Sequence, residues 1–135
     1  MCANKTVTAP TEKCHCGLAV DFVHCCRPYI DSEQIAPTAE ALMRSRYSAF
    51  VEGHEAYLLA SWHPDTRPSR VRFDPEQHWL GLSIKSTEHG GADDSSGRVE
   101  FVARFKVNGK GHRLYENSRF ERIAGQWFYL DGDHL

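Results

Sequence analysis

Four cysteines fall within thirteen residues. Cys14 and Cys16 open the segment and Cys25 and Cys26 close it, in the pattern C-x-C-x8-C-C. A tetrahedral zinc ion takes four soft or borderline ligands converging on one point, and close pairs of thiolates can deliver them. So short a segment cannot build its own core, and zinc binding worth roughly 10–16 kcal/mol in small zinc peptides is ample to fold it. Four thiolates leave no open coordination position, so the expected Zn2+ site is structural. His15 and His24 lie inside the segment as alternative ligands. Cys25 and Cys26 are adjacent, an awkward pair for one disulfide but an acceptable pair on one metal. Lys13 and Arg27 flank the cage and can offset its negative charge. The fifth cysteine, Cys2, stands apart and reads as a bystander.

With 135 residues, 41% hydrophobic and 25% charged, the chain has material for one domain with a real core plus a small appendage. A formal net charge of −2 argues against a general nucleic-acid binder, which carries a basic excess. No apolar run approaches a membrane span. The first eleven residues lack the apolar stretch of a secretory signal. A cytoplasmic setting follows, where clustered thiols stay reduced and read as metal ligands.

Three regions are expected: a flexible leader over 1–11, the cysteine motif over 12–30, and a larger domain over 31–135. Pro28 interrupts any helix running out of the motif. Thr38 can cap a helix with Leu42, Met43, Tyr47, Phe50 and Val51 on its apolar face. Glu40, Arg44 and Arg46 then fall on the other face, and Gly53 ends the helix. A second helix runs from His54 to about Trp62 and stops before Pro64. Residues 63–70 form a Pro-punctuated loop, and Val71 to Phe73 is a short strand candidate. Asp74-Pro75-Glu76 starts a third helix through His78, Trp79 and Leu80. The period then changes to two. Strands are expected over Leu80–Thr87, around Val99–Val107, over His112–Ile123 and over Gln126–Leu130. Turns fall at Asn108-Gly109 and Ala124-Gly125. Helices followed by an antiparallel meander make an α+β fold with a cone-like cavity between the two layers.

Trp62, His63, His78, Trp79, Glu100, Arg104, Glu116 and Arg119 are the candidate pocket residues. A buried Arg or Glu in such a cone needs a partner of opposite charge, and a structural ion pair or a solvated sheet face explains the charged ones as well. His63, His78 or Glu116 would suit general-base work in dehydratase or isomerase chemistry. Ser61 and Ser118 have no activating partner in view, and no set of nucleophile, base and orienting group emerges from spacing. The reading therefore leans away from an enzyme. Trp62, Trp79, Trp127, Phe128 and Tyr129 read first as core.

The segments PTAEALMRSRYSAF (37–50), YLLASWHPDTRP (57–68), HWLGLSI (78–84), VEFVARF (99–105) and ENSRFERIAGQWFYLDG (116–132) closely resemble the YchJ-like family of uncharacterised bacterial proteins. That resemblance implies an NTF2-like domain preceded by a zinc-binding motif. The cysteine segment looks like the SEC-C motif, also found at the end of the bacterial preprotein translocase ATPase, where the zinc module contacts an export chaperone. Cys14, Cys16, Cys25 and Cys26 match its four ligand positions and Gly17 its first glycine. Leu18-Ala19-Val20 departs from its Ser-Gly-Lys. Longer family members carry a second such motif, which the sequence through Leu135 does not contain. The resemblance implies an adaptor that meets a protein partner through the zinc motif, with a small-molecule ligand in the cone as the alternative. NTF2-like domains often dimerise through the outer sheet face, so a homodimer is a further expectation.

Overall fold

The computed structural model describes residues 13–135. The expected leader over 1–11, with Cys2, lies outside the described residues. The first element is a tight turn, in which Lys13 and Asp21 form an isolated antiparallel bridge and Phe22–His24 a single 3-10 turn. Helix α1 (Arg27–Ile30) follows. Pro28 sits in its first turn, where a missing N–H costs nothing, so this proline starts a helix rather than interrupting one.

Helix α2 (Ala39–Glu52) begins where Thr38 Oγ1 accepts from the Ala41 N–H at 3.0 Å. It ends at Gly53, whose φ of 78° is open to glycine and costly to most residues. Helix α3 (Glu55–Ala60) is shorter than the run expected to Trp62. Its exit instead becomes extended: the Tyr129 N–H donates to Ser61 O at 2.9 Å and the His63 N–H to Tyr129 O at 2.7 Å. The chain thus lies along a sheet edge and covers it.

Four strands form an antiparallel meander in chain order: β1 (Gln77–His89), β2 (Ser96–Val107), β3 (Lys110–Ile123) and β4 (Gln126–His134). Asn108 and Gly109 both have positive φ in the β2–β3 turn, as do Ala124 and Gly125 in the next. Register shifts at Trp79/Gly81, Ile84/Ser86 and Arg119/Phe120 bend the sheet around α2.

Two expected elements differ. The third helix through His78–Leu80 is strand instead. Asp74 closes a turn on itself, accepting from the Glu76 N–H through Oδ1 and from the Gln77 N–H through its carbonyl, and β1 begins at Gln77. Val71 to Phe73 is not a strand. The Val71 N–H goes to Glu55 Oε2 at 2.9 Å, a side-chain partner in place of a neighbouring strand.

The core lies between α2 and the concave sheet face, where Val99, Phe101, Ala103 and Phe120 are buried opposite Leu42, Met43 and Tyr47. Arg46 is the main departure. Expected on the solvated face of α2, it is 3% exposed. Among its neighbours in the sequence, Ser45, Tyr47, Ser48 and Ala49 are buried as well, because α2 has protein on nearly every side.

Candidate functional site

Two polar centres flank α2. In the first, the sulfurs of Cys14, Cys16, Cys25 and Cys26 lie within 4.8 Å of one another, and Cys16 Sγ is 3.7 Å from Cys25 Sγ. Four sulfurs about 2.3 Å from a tetrahedral zinc stand about 3.8 Å apart. The donor set therefore fits such an ion. Cys14, Cys16 and Cys26 are buried. Crowded this closely, the four thiols cannot all ionise unaided. Hydrogen bonds from the Cys16 and Cys26 thiols hold Cys14 far below the ordinary thiol range. Contacts with the Cys14 and Cys16 sulfurs push Cys26 far above it, and burial, with the neighbouring Cys16 and Cys14, pushes Cys25 up to about 12. A bound cation supplies the charge that would let all four serve as thiolates.

Helix α2 carries a stripe of residues to this centre at i, i+4, i+8. Arg44 Nη1 donates to Cys16 O at 2.7 Å, Ser48 Oγ lies 3.5 Å from Cys14 Sγ, and Glu52 Oε2 lies 2.8 Å from His15 Nε2. His15 thus faces Glu52, and His24 is exposed. Lys13 pairs with Asp21 and Arg27 with Asp31, so Arg44 is the cation that reaches the loop backbone. Gly17 lets that loop pass close to β1: with φ at 94°, a Cβ there would sit 3.0 Å from Leu82 O.

The second centre is the cone, a cavity of about 220 Å³ between α2 and the sheet. Met43, Tyr47, Phe50, Trp79, Phe101 and Leu114 line its apolar walls, and Arg46, Trp62, Glu116, Ser118 and Tyr129 its polar part. The Arg46 guanidinium lies between two rings, 4.9 Å from the Trp62 centroid and 4.7 Å from that of Tyr129. Its Nη1 donates to Leu58 O at 2.8 Å and Ser61 Oγ at 2.7 Å. Among the described residues no carboxylate forms an ion pair with it, and Nε and Nη2 have no hydrogen-bond partner. Burial lowers its pKa to about 10, against the offsetting pull of Tyr129, Tyr57 and Glu116, so it stays charged at neutral pH. The Trp62 indole Nε1 is buried and likewise unpartnered.

Glu116 is well served by comparison. Its Oε2 accepts from Ser118 Oγ at 2.5 Å and from Tyr129 Oη at 3.1 Å. Burial, then the Glu116 charge, raise the Tyr129 pKa and keep that phenol a donor. Gly132 makes room for this arrangement, since a Cβ on it would fall 2.2 Å from Glu116 Oε2.

Of the eight candidate pocket residues, Trp62, Trp79 and Glu116 line the cone. His78 lies beside it, in an open groove with Arg72 and Phe73. His63 is buried but turned elsewhere, with Nε2 2.8 Å from Glu121 and Nδ1 accepting from the Asp65 N–H. Glu100, Arg104 and Arg119 alternate with the buried residues of β2 and β3 and so occupy the outer face. There Glu100 meets Tyr115 and Ser86, Arg119 meets Asp131 and Asp133, and Arg104 is exposed. Arg46, Ser118 and Tyr129 carry the polar end with Trp62 and Glu116. Arg46 was detectable, because it falls at i+4 from Leu42, i+3 from Met43 and next to Tyr47, inside the apolar stripe rather than opposite it. Ser118 likewise alternates between Glu116 and Phe120 on one face of β3.

A four-cysteine cage packed on an antiparallel α+β cone defines the class: an NTF2-like protein with an N-terminal SEC-C-type motif. Residues 38–132 match the family model described as the middle NTF2-like domain of YchJ. A UPF0225 protein of Streptomyces coelicolor is 48% identical over 93% of this chain and 98% of its own length. Another, from Chromobacterium violaceum, is 49% identical over 88% of this chain and 90% of its own length. Among solved structures, a SEC-C motif containing protein from Rhodopseudomonas palustris matches with a TM-score of 0.80 and 30% identity, covering 92% of this chain and 99% of that one. A second, from Psychrobacter arcticus, matches with a TM-score of 0.73 and 27% identity, covering 89% of this chain and 81% of that one. The chain belongs to the YchJ-like UPF0225 family. Among the described residues, no helix is long and apolar enough to cross a membrane.

Proposed function

We propose that this is a cytoplasmic small-molecule-binding protein, with the ligand in the cone and structural zinc in the cysteine cage as a brace. The observation that carries the reading is the placement of Arg46. The residue is 3% exposed, and its guanidinium lines the cavity between the Trp62 and Tyr129 rings and among the described residues makes hydrogen bonds only through Nη1. Holding a guanidinium in an apolar site with donors unpaired is costly, because the charge is desolvated. A binding protein carries that cost in its empty state and relieves it with ligand. The zinc assignment is supported by four cysteine sulfurs within 4.8 Å of one another, a set that suits zinc over harder cations. The volume is below the roughly 300–1,000 Å³ of drug-sized pockets, which limits the ligand to a small metabolite.

The adaptor reading has its own observation. Leu18, Val20 and Val23, in the loop between the cysteine pairs, are all more than a third exposed. A loop held rigid by metal could present such side chains to a protein partner at little entropic cost. Replacing all three by Ser should then abolish capture of a defined partner while the metal content stays unchanged.

A native mass spectrum of protein purified without chelator or added metal tests the main reading and also reports oligomeric state. One zinc plus an organic adduct, lost when Arg46 is replaced, is the expected result. One zinc, no adduct and a partner released by the loop substitution would favour the adaptor.

A further inference from the structure

This inference rests on the cone being a ligand pocket and concerns what enters it. We infer that the cone takes a small organic acid with a ring-sized apolar body, its carboxylate held by the Arg46 guanidinium beside the Trp62 ring.

The unmet groups decide the chemistry of the bound end. Arg46 Nε and Nη2, which make no hydrogen bond among the described residues, are donors, so the ligand must present acceptors to them. The two charges in the cavity are unequally served. Glu116 already accepts two O–H donors, whereas Arg46 has only a carbonyl and a hydroxyl. Glu116 acts on Arg46 through space but does not touch it, a buried cation without a direct partner is costly, and an anion is the partner that relieves it most. A carboxylate matches the planar fork of a guanidinium with two oxygens. A phosphate dianion brings more oxygens and more charge than one guanidinium can serve, and Glu116 would repel it more strongly than a single carboxylate. An amine would face Arg46 directly.

The walls decide the rest of the molecule. Phe101, Leu114, Met43 and Trp79 offer apolar surface. An apolar cavity of about 150 Å³ is enough for a benzene ring. The 220 Å³ here therefore holds a ring and a short carboxylate arm.

The test uses the full-length, metal-loaded protein and three matched probes: phenylacetate, phenylacetamide and phenethylamine. Calorimetry gives affinity, and nitrogen-resolved NMR follows the Trp62 indole N–H. Phenylacetate should bind at least about tenfold more tightly than the amide and move the Trp62 indole resonance. Arg46→Met, which removes the guanidinium, should abolish the preference for the acid over the amide. Arg46→Lys, which keeps charge but loses the fork, should also narrow the gap between acid and amide. Equal binding of acid and amide would overturn the carboxylate assignment and leave the cone a ligand pocket. Acid binding that leaves the Trp62 indole unmoved would place the anion elsewhere and overturn it too. No binding by any probe up to about 10 mM, beyond the weak end of useful affinity, would remove both the inference and the pocket reading beneath it.

Discussion

Arg44 and Arg46 stand two residues apart on one helix and serve opposite centres. Arg44 reaches the cysteine loop, ties its backbone at Cys16 O and pairs with Glu40 at 2.8 Å. Arg46 faces the cone, pairs with no carboxylate among the described residues and is the more deeply buried. The first guanidinium completes a closed structure. The second leaves hydrogen-bonding capacity open. The helix is a shared wall, with Arg44, Ser48 and Glu52 along one side and Met43, Arg46, Tyr47 and Phe50 along the other. One centre is therefore expected to contribute mainly stability and the other mainly binding.

The largest effect should come from removing the metal. Chelation, or Cys16→Ser, takes away a site worth on the order of 10 kcal/mol in small zinc peptides. Hydrogen exchange should then show protection lost over residues 13–30 and weakened along α2, with the four strands still protected. Loss of protection throughout the sheet would mean that the cage is not a separable brace and that the contrast is false.

Gly132→Ala should come next. The added Cβ displaces the Glu116 carboxylate and breaks its bonds to Ser118 and Tyr129. A loss of about 1–3 kcal/mol in denaturant unfolding is expected, with metal content unchanged. An unaffected midpoint would mean that Glu116 has an alternative seat and that the polar end of the cone is loosely built.

The arginine pair tests the contrast most directly. Arg44→Met removes the tie to the loop and should cost about 1–2 kcal/mol, along with slower exchange lost at residues 14–20. Arg46→Met replaces an unpaired buried cation with an apolar side chain of similar length. It should leave stability within about 1 kcal/mol of the parent, or raise it, while abolishing ligand binding. Unfolding midpoints of both variants measure this. A large stability loss from Arg46→Met alone would make that residue structural and remove the asymmetry.

The two centres also differ in how legible they are from sequence. The cage residues are near neighbours along the chain, so spacing alone brings Cys14, Cys16, Cys25 and Cys26 together as candidates. The cone collects Arg46 from α2, Trp62 from the chain after α3, and Glu116 and Tyr129 from β3 and β4. No local pattern joins positions that far apart. The face of a strand residue depends on register, and an assignment that starts β1 at Leu80 rather than Gln77 hides the run that carries Trp79. Glu100, Arg104 and Arg119 have residue types that fit a pocket floor, but strand alternation sends them outward. The meander and both turns were readable because alternation and turn chemistry are local signals.

The smallest effect should lie outside both centres. On the outer face, Arg119 donates to Asp131 and Asp133, and the Arg119 contact holds the Asp133 carboxyl below the ordinary carboxylate range. A carboxyl depressed in the folded state contributes stability that is present above its unfolded pKa of about 3.9 and lost as pH falls through the lower folded value. Asp133→Asn should therefore lower Tm slightly at pH 7, by no more than about 2 °C, because the pair is exposed and screened. The difference should shrink through the acid range and vanish once the parent carboxyl is protonated. Melting curves at pH 7, 4 and 2 measure it. If Asp133→Asn costs more at pH 7 than Arg44→Met, the outer face rather than the α2 wall anchors the fold, and the ranking of the two centres has to be redrawn around the sheet.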